Sequence, residues 1–165
     1  MKTILITGGT SGLGYRTANV LANGSKDKII LIGSNCKKGQ QAVESLICKT
    51  KNKNLRFIKA DLSSINEIKL LAKDLIKEKI DVLINNAGAL FYSRDESIDQ
   101  IEKTFALNHL SYFALTNLLL KYKVIKNGGR IINVASGAHR GIDVDFNDLE
   151  TVSYTHLTLP TTLLV

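Results

Sequence analysis

Short apolar runs alternate along the chain with longer amphipathic stretches. Each run is almost continuously hydrophobic, which is typical of strands in a parallel sheet that is covered on both faces. We predict strands at Thr3–Thr7, Lys28–Ile32, Leu55–Ala60, Asp81–Asn85 and Arg130–Val134. The stretches between them predict helices at Gly12–Ala22, Lys37–Cys48, Ile65–Lys79, Ile98–Leu107 and His109–Lys121. This alternation predicts one α/β domain, a doubly wound parallel sheet with right-handed crossovers.

The third predicted helix has the clearest helical period. Its apolar residues recur at the spacing of one helix face, so we expect them to face the core. They are Ile65, Ile68, Leu71, Ala72, Leu75 and Ile76. Ser64, with Glu67 three residues later, predicts a capping box at the start of this helix.

Composition narrows the class of protein. The chain has 165 residues, of which 44% are hydrophobic and 22% charged, as expected for one globular domain. It has no apolar stretch long enough to span a bilayer, and a strand follows Met1 and Lys2 directly. We therefore expect a cytoplasmic protein without a signal peptide or a membrane partner. Cys36 and Cys48 lack metal-ligand spacing, so we expect reduced thiols and no metal site.

The net charge of +7 raises the possibility of nucleic-acid binding. The lysines are spread along helices, however, with Asp74 and Glu78 among them and no aromatic residues between them. Examples are Lys69, Lys73, Lys77 and Lys79. This pattern is typical of solvated helix faces, and we expect no nucleic-acid partner.

A glycine-rich turn follows the first strand. It reads TGGTSGLG from Thr7 to Gly14, between the run Ile4–Ile6 and a predicted helix. Small residues let the backbone approach a pyrophosphate, and the free N–H groups of the helix start stabilise its charge. The candidate phosphate-binding residues are Gly8, Thr10, Ser11, Gly12, Leu13 and Gly14. The alternative is a glycine-rich loop without a function.

The end of the second strand bears on the choice between NAD and NADP. An acidic residue there would hold the ribose hydroxyls of NAD, but the chain reads Gly33-Ser34-Asn35. Because a carboxylate would repel the extra phosphate of NADP, its absence favours NADP. Ser34 and Asn35 are candidate ligands, to which Lys37 or Lys38 adds charge. Equally, Asn35 could simply cap the next helix.

Polar and small residues also follow the third and fourth strands, at the sheet edge where ligands bind. Asp61 is a candidate acceptor for an adenine amino group, and Leu62 for covering the ring. The alternative for Asp61 is a structural role at the turn that follows. Asn86, Ala87 and Gly88 are further cofactor candidates, although Gly88 also suits an ordinary turn.

Five motifs together resemble the short-chain dehydrogenase/reductase family. They are TGGTSGLG, ADL, NNAG, Asn108 within LNHLSYF, and GGRIINVASGAH with Ser136, in the family's order from Met1 to about Glu150. The last two look closest to the branch of retinol-dehydrogenase-like and protochlorophyllide-reductase-like enzymes. The resemblance implies a Rossmann fold and hydride transfer between NADP (or NAD) and a small carbonyl or alcohol substrate. It also implies that the full-length form is a homo-oligomer.

The resemblance assigns catalytic roles to two residues. Ser136 matches the serine that hydrogen-bonds the reacting oxygen, and Asn108 matches the asparagine of the proton relay. The family also has Tyr-x-x-x-Lys after the serine, but this chain has no lysine after Lys126. Tyr154 is followed four residues later by Thr158, which cannot lower the pKa of a phenol. We therefore expect no turnover by the chain as written; the alternative function is a non-catalytic dinucleotide-binding or sensor protein.

The last residues differ in composition from the rest. Val152–Val165 contains the single proline and no Lys, Arg, Asp or Glu. The string VSYTHLTLPT matches a translated transposase adapter used in preparing DNA libraries. We expect residues 1–151 to be a partial NAD(P)-binding domain, incomplete on its C-terminal side, and residues 152–165 a non-native tail. A genuine divergent tail is the alternative. An incomplete sheet would leave the fifth strand as an apolar edge and make the chain poorly soluble.

Overall fold

The computed structural model describes residues 1–91, 93–137 and 146–148. Its centre is a parallel five-stranded sheet with the strand order β3-β2-β1-β4-β5. The strands are β1 (Thr3–Thr7), β2 (Lys28–Gly33), β3 (Leu55–Lys59), β4 (Ile80–Asn85) and β5 (Ile125–Asn133). This confirms the predicted doubly wound α/β fold. The interpretations of Tyr154 and of Val152–Val165 concern residues outside the described ranges.

Helices cover both faces of this sheet. They are α1 (Gly12–Ala22), α2 (Cys36–Thr50), α3 (Ile65–Asp74), α4 (Lys103–Phe105) and α5 (Ser111–Lys121), with a π-helical segment, Ala106–Leu110, joining the last two. The helices α1 and α2 pack on one face, and α3 and α5 on the other. Within the described ranges, no helix combines the length and the apolar character that crossing a membrane requires.

Alternate residues of the buried strands supply the two halves of the core. Leu5 and Leu83 point toward α3 and α5, whereas Ile6 and Ile84 point toward α1 and α2. The alternation follows from the two-residue period of a strand, and burial on both faces explains the continuous apolar runs.

The direction in which strands are added reverses at β1. The chain first builds outward through β2 to β3, and then crosses back to place β4 on the other side of β1. The carboxyl ends of β1 and β4 therefore diverge into connections on opposite faces, which opens a crevice between them.

The predicted helix Ile98–Leu107 is wrong in its first part. Helical structure begins only after Glu102, whose buried carboxylate accepts hydrogen bonds from the N–H groups of Thr104 (2.8 Å) and Phe105 (2.7 Å). Gln100, just before it, has a φ of 60°, which a helix cannot contain. Ile98, expected to be helical, is 85% exposed.

The helix α3 confirms most of its predicted apolar stripe but ends early, at Asp74. Ile76 therefore lies beyond the helix and is 47% exposed. The predicted capping box is only half formed, because Ser64 Oγ accepts from the Glu67 N–H while the Glu67 carboxylate accepts from the Asp61 N–H. The Ser64 N–H is already bonded to the Asp61 carbonyl.

Asp81 joins three strands at the end of the sheet opposite the crevice. Its carboxylate accepts from the Thr3 N–H of β1 (2.7 Å) and pairs with the Lys126 ammonium of β5 (2.8 and 2.9 Å). These contacts, with Lys126 the larger cause and Thr3 the next, hold the pKa of Asp81 below its ordinary value. The charged form is therefore favoured in the folded protein.

We expect the Asp81→Asn variant to be less stable at neutral pH and less sensitive to acid. Because the folded-state pKa is lowered, the carboxylate stabilises the fold fully above its unfolded pKa of about 4, and this stabilisation is lost as the pH falls below that value and through the lower folded-state pKa. Urea unfolding at several pH values measures how the free energy of unfolding changes with pH. The Asp74→Asn variant, at an exposed site, is the control. If the free energy of unfolding of Asp81→Asn depended on pH as that of the wild type does, the role assigned to the Asp81 carboxylate would be contradicted.

Candidate dinucleotide site

A buried threonine connects the two strands that border the crevice. Thr7, the last residue of β1, accepts at Oγ1 from the N–H groups of Asn86 (2.8 Å) and Ala87 (3.0 Å). The same hydroxyl donates to the carbonyl of Ile84 (3.4 Å). Since Thr7 is 1% exposed, these bonds form away from water and hold the two strand ends in a fixed relation. Thr7 opens the motif TGGTSGLG but is not among the residues predicted to bind the phosphate.

The side chain of Asn86 shapes the glycine loop. Its Nδ2 donates to the carbonyl of Thr7 (2.9 Å) and more weakly to that of Gly8 (3.3 Å). Asn86 was predicted to bind the cofactor, and the structure places its amide against the loop backbone. The Asn86 side chain thus supports the backbone of the glycine loop.

At two positions of the loop only glycine fits, because neighbouring atoms lie too close for a Cβ. Gly8 has a φ of +62°, and a Cβ there would lie 2.9 Å from the Cα of Ala87. A Cβ at Gly14 would overlap the Gly8 carbonyl and the Asn86 amide. At Gly8 and Gly14 the loop is thus packed without space for a side chain, which brings its backbone close to the β4 connection.

The start of α1 has no side-chain cap. Ser11 occupies the N-cap position without bonding to a backbone N–H, and the first turn holds no acidic residue. In contrast, Asn35 caps α2 by accepting from the Lys38 N–H (2.9 Å), and Ser64 caps α3. The uncapped N–H groups and the helix dipole favour an anion at α1.

A cavity of about 450 Å³ lies over the carboxyl ends of β1, β2 and β3 and reaches the connection after β4. Its lining includes nine predicted site residues or their neighbours: Gly8, Thr10, Ser11, Gly33, Ser34, Asp61, Leu62, Ala87 and Gly88. Ala60, Ser63, Ala89, Phe91, Lys103 and Leu107 complete it. We call this space the first cavity. Gly12, Leu13, Gly14, Asn35 and Asn86 do not line it.

The end of β2 is closely packed against the glycine loop. A Cβ at Gly33 would lie 3.0 Å from Thr10 Cγ2, so a larger residue would have to displace Thr10. Ser34 follows as an exposed wall of the first cavity, while the Asn35 side chain is used in capping α2. Of the two predicted ligands, only Ser34 therefore borders the cavity.

Asp61 has the structural role considered for it and also lines the first cavity. Its Oδ1 accepts from the Ser63 N–H (2.9 Å) and the Ser63 hydroxyl (2.7 Å), which fixes the turn after β3. The residue also lines the first cavity beside Leu62, whose side chain is buried. The turn thus orients a carboxylate at the rim of the cavity.

A second cavity of about 320 Å³ lies between the carboxyl ends of β4 and β5. It is lined by Asn86, Gly88, Ala89, Leu90, Tyr112, Val134, Ala135 and Ser136. The two cavities share Gly88 and Ala89, so they lie on either side of one short backbone segment. Ser136, one of the predicted catalytic residues, is in the second cavity.

Asn108 fixes this shared segment. Its Oδ1 accepts from the Ala89 N–H and its Nδ2 donates to the Ala89 carbonyl, both at 2.9 Å. The residue is buried within the π-helical segment, where the wider turn brings its amide to the β4 connection. Asn108 therefore positions the strip of backbone between the two cavities.

Tyr112 is a further residue of the second cavity that sequence reasoning missed. Its hydroxyl is buried and has no hydrogen-bond partner among the described residues. Burial raises the pKa of this phenol, so it remains protonated at neutral pH. In the sequence Tyr112 lies within the predicted helix His109–Lys121, and nothing there placed it in one cavity with Ser136.

We expect a Gly14→Ala variant to lose about 1–3 kcal/mol of stability, because the added methyl group would displace the Gly8 carbonyl and the Asn86 amide. Chemical denaturation measures the change in the free energy of unfolding. Val20→Ala, at an exposed position on the same helix, is the control and should change stability little. Equal stability of Gly14→Ala and the wild type would show that the loop can relax.

Curated relatives cover almost the whole of this arrangement. Human polyprenol dehydrogenase is 34% identical over 158 residues, which are 91% of this chain and 47% of that protein. Human retinol dehydrogenase 13 is 37% identical over 150 residues, 90% of this chain and 45% of that protein. The chain thus spans about half the length of the curated relatives it matches.

Solved structures share the fold. A protein from Mycobacterium paratuberculosis superposes with a TM-score of 0.81 at 30% identity, covering 96% of this chain and 55% of that one. A short-chain dehydrogenase from Sphingobium yanoikuyae, solved in complex with NADPH, has a TM-score of 0.70 at 22% identity, with 86% and 56% covered. The sequence profile of short chain dehydrogenases matches residues 2–142. The chain belongs to the short-chain dehydrogenase family, on its retinol-dehydrogenase-like branch.

Proposed function

We propose that this chain binds NADP across the crevice between β1 and β4, as the cofactor-binding part of an oxidoreductase acting on a small carbonyl or alcohol. The observation that carries the proposal is the pair of neighbouring cavities that share Gly88 and Ala89, the first of which also reaches the uncapped start of α1. A dinucleotide has two nucleoside halves joined by a pyrophosphate, so two adjoining cavities beside a site for an anion suit its shape.

The residues around each cavity assign the two halves of the cofactor. The pyrophosphate would lie on the backbone of Gly8 and Ser11, at the start of α1. The adenosine half would occupy the first cavity, beside Ser34 and Asp61, and the nicotinamide half the second, beside Ser136. When bound, the nicotinamide supplies the hydride that is exchanged with the substrate.

The preference for NADP rests on the end of β2. No carboxylate is present at Gly33 or Ser34, and Thr10 leaves little space for one at Gly33. The nearby Lys37 and Lys38 are exposed in the first turn of α2 and would attract an extra phosphate. Ser34 would donate a hydrogen bond to it.

Ser136 and Asn108 would serve the substrate end in different ways. Ser136 is in the second cavity, where its hydroxyl would bind the reacting oxygen. Asn108 bonds both the N–H and the carbonyl of Ala89 and would act by holding the cavity wall in place. The sequence contains no Tyr-x-x-x-Lys after Ser136 to supply the proton. A dinucleotide-binding sensor without catalysis is the second candidate.

We expect the chain to bind NADPH more tightly than NADH, measured by calorimetry or by nucleotide fluorescence. The double variant Lys37→Glu/Lys38→Glu should weaken NADPH binding about tenfold and NADH binding much less, because it places repulsive charge near the extra phosphate. Lys69→Glu/Lys73→Glu makes the same change in net charge on α3 and is the control. Equal losses in both double variants would refute the local phosphate site.

We also expect no turnover by this chain, since the proton-donating pair is absent. Oxidation of NADPH with a panel of aldehydes and ketones should not exceed the rate without protein. Measurable turnover that disappears in Ser136→Ala would contradict this expectation. A Tyr-x-x-x-Lys downstream of Ser136 in the full-length gene would favour the enzyme over the sensor.

A further inference from the structure

A groove between α1 and α2 lies apart from both cavities of the crevice. It has a volume of about 480 Å³ and shares no lining residue with either of them. Its lining comes from the two helices: Gly12, Tyr15, Arg16, Asn19 and Val20 of α1, and Lys49 of α2. We call this space the outer groove. Gly12, predicted to bind the phosphate of a dinucleotide, borders the outer groove rather than the first cavity.

The ammonium group of Lys49 is held at this groove by Tyr15. Lys49 Nζ donates to Tyr15 Oη at 3.3 Å and lies 5.4 Å from the centre of the ring. The Tyr15 hydroxyl is in turn 2.9 Å from Ser45 Oγ on α2, which fixes the phenol between the two helices. An ammonium group has three N–H donors, and the bond to Tyr15 uses one of them. Lys49 therefore keeps donors for a ligand in the outer groove.

Arg16 brings a second positive charge to the outer groove. The residue is exposed and forms no ion pair with any residue that the structure describes. Arg56 and Arg94, in contrast, pair with Glu78 and Glu96. A guanidinium group presents its N–H donors in a planar fork, which matches two oxygens of one phosphate group. Arg16 therefore offers the outer groove a cation of the shape that phosphate recognition requires.

The lining of the outer groove contains no carboxylate that would balance these two charges. Asn19 adds a neutral amide, whose N–H groups also donate to oxygen. A ligand with two negative charges would compensate both cations, whereas a single carboxylate would compensate only one. A phosphate monoester carries nearly two charges at neutral pH and offers three acceptor oxygens. The groups around the groove therefore suit a phosphate monoester better than a carboxylate.

We propose that the outer groove is a second anion site, which binds a phosphorylated small molecule through its phosphate monoester. Arg16 donates two hydrogen bonds to the phosphate group, and Lys49 and Asn19 donate one each. Because the outer groove shares no lining residue with the two cavities, this site is separate from the one proposed for NADP.

The test uses methyl phosphate at about pH 8, where a phosphate monoester is a dianion. We expect it to shift the backbone amide NMR signals of Arg16, Asn19 and Val20 along a saturating curve. Acetate at the same ionic strength should bind the outer groove at least about fivefold more weakly, because it carries a single charge. The signals of Gly8 and Ser11 report separately on any binding at the glycine loop.

Variants of the two cations test the assigned donors. Arg16→Gln and Lys49→Gln should each weaken the binding of methyl phosphate in the outer groove about fivefold, because each removes a charged hydrogen-bond donor. Arg16→Lys keeps the charge but loses the fork, so its affinity should lie between those of the wild type and Arg16→Gln. Lys69→Gln removes an exposed charge on α3 and should change the affinity by less than about twofold.

Equal shifts with methyl phosphate and acetate would reveal a general effect of ionic strength and overturn the proposal. It would also be overturned if Arg16→Gln and Lys49→Gln bound methyl phosphate as the wild type does, or if Lys69→Gln weakened binding as much as they do. Shifts confined to Gly8 and Ser11 would place the binding at the glycine loop and refute a site in the outer groove.

Discussion

The site depends on the hydrogen bonds that Thr7 and Asn86 make between β1 and β4. The Thr7 hydroxyl accepts hydrogen bonds from the backbone N–H groups of Asn86 and Ala87. The Asn86 side-chain amide in turn donates a hydrogen bond to the Thr7 carbonyl, where the glycine loop begins. Thr7 is buried and Asn86 half-buried, so losing a partner of the Thr7 hydroxyl would leave the other group unsatisfied, at a cost of about 1–3 kcal/mol. The bonds keep the crevice at a fixed width, and the first cavity reaches across it from the glycine loop to the connection after β4.

The two ends of the sheet are stabilised in different ways. At the amino ends of the strands, the Asp81 carboxylate joins β1 to β5 through the Thr3 N–H and Lys126. At the carboxyl ends, the neutral side chains of Thr7 and Asn86 join β1 to the connection after β4. The backbone N–H groups at the start of α1 have no side-chain cap. No acidic side chain lies in the first turn of α1, so the helix dipole there favours a phosphate.

Sequence reasoning was most accurate where one local rule acted alone. Continuous apolar runs predicted the strands, and the stripe on α3 was correct up to Leu75. It failed at Ile98, because the apolar residues there fit a helix while the buried cap at Glu102 sets its actual start. Of the two ligands predicted after β2, Ser34 lines the first cavity whereas Asn35 caps α2. A polar side chain after a strand can take either role, and the sequence does not decide between them.

The sequence by itself determined the sheet, the glycine loop and its position after β1, because burial period and glycine spacing are local properties of the chain. Only the tertiary structure decided which residues meet across the crevice. Lys103 and Tyr112 enter the cavities through a long connection and a π-helical turn, whose path depends on contacts with distant strands. Their juxtaposition with Asp61 and Ser136 arises from packing, which local patterns do not encode.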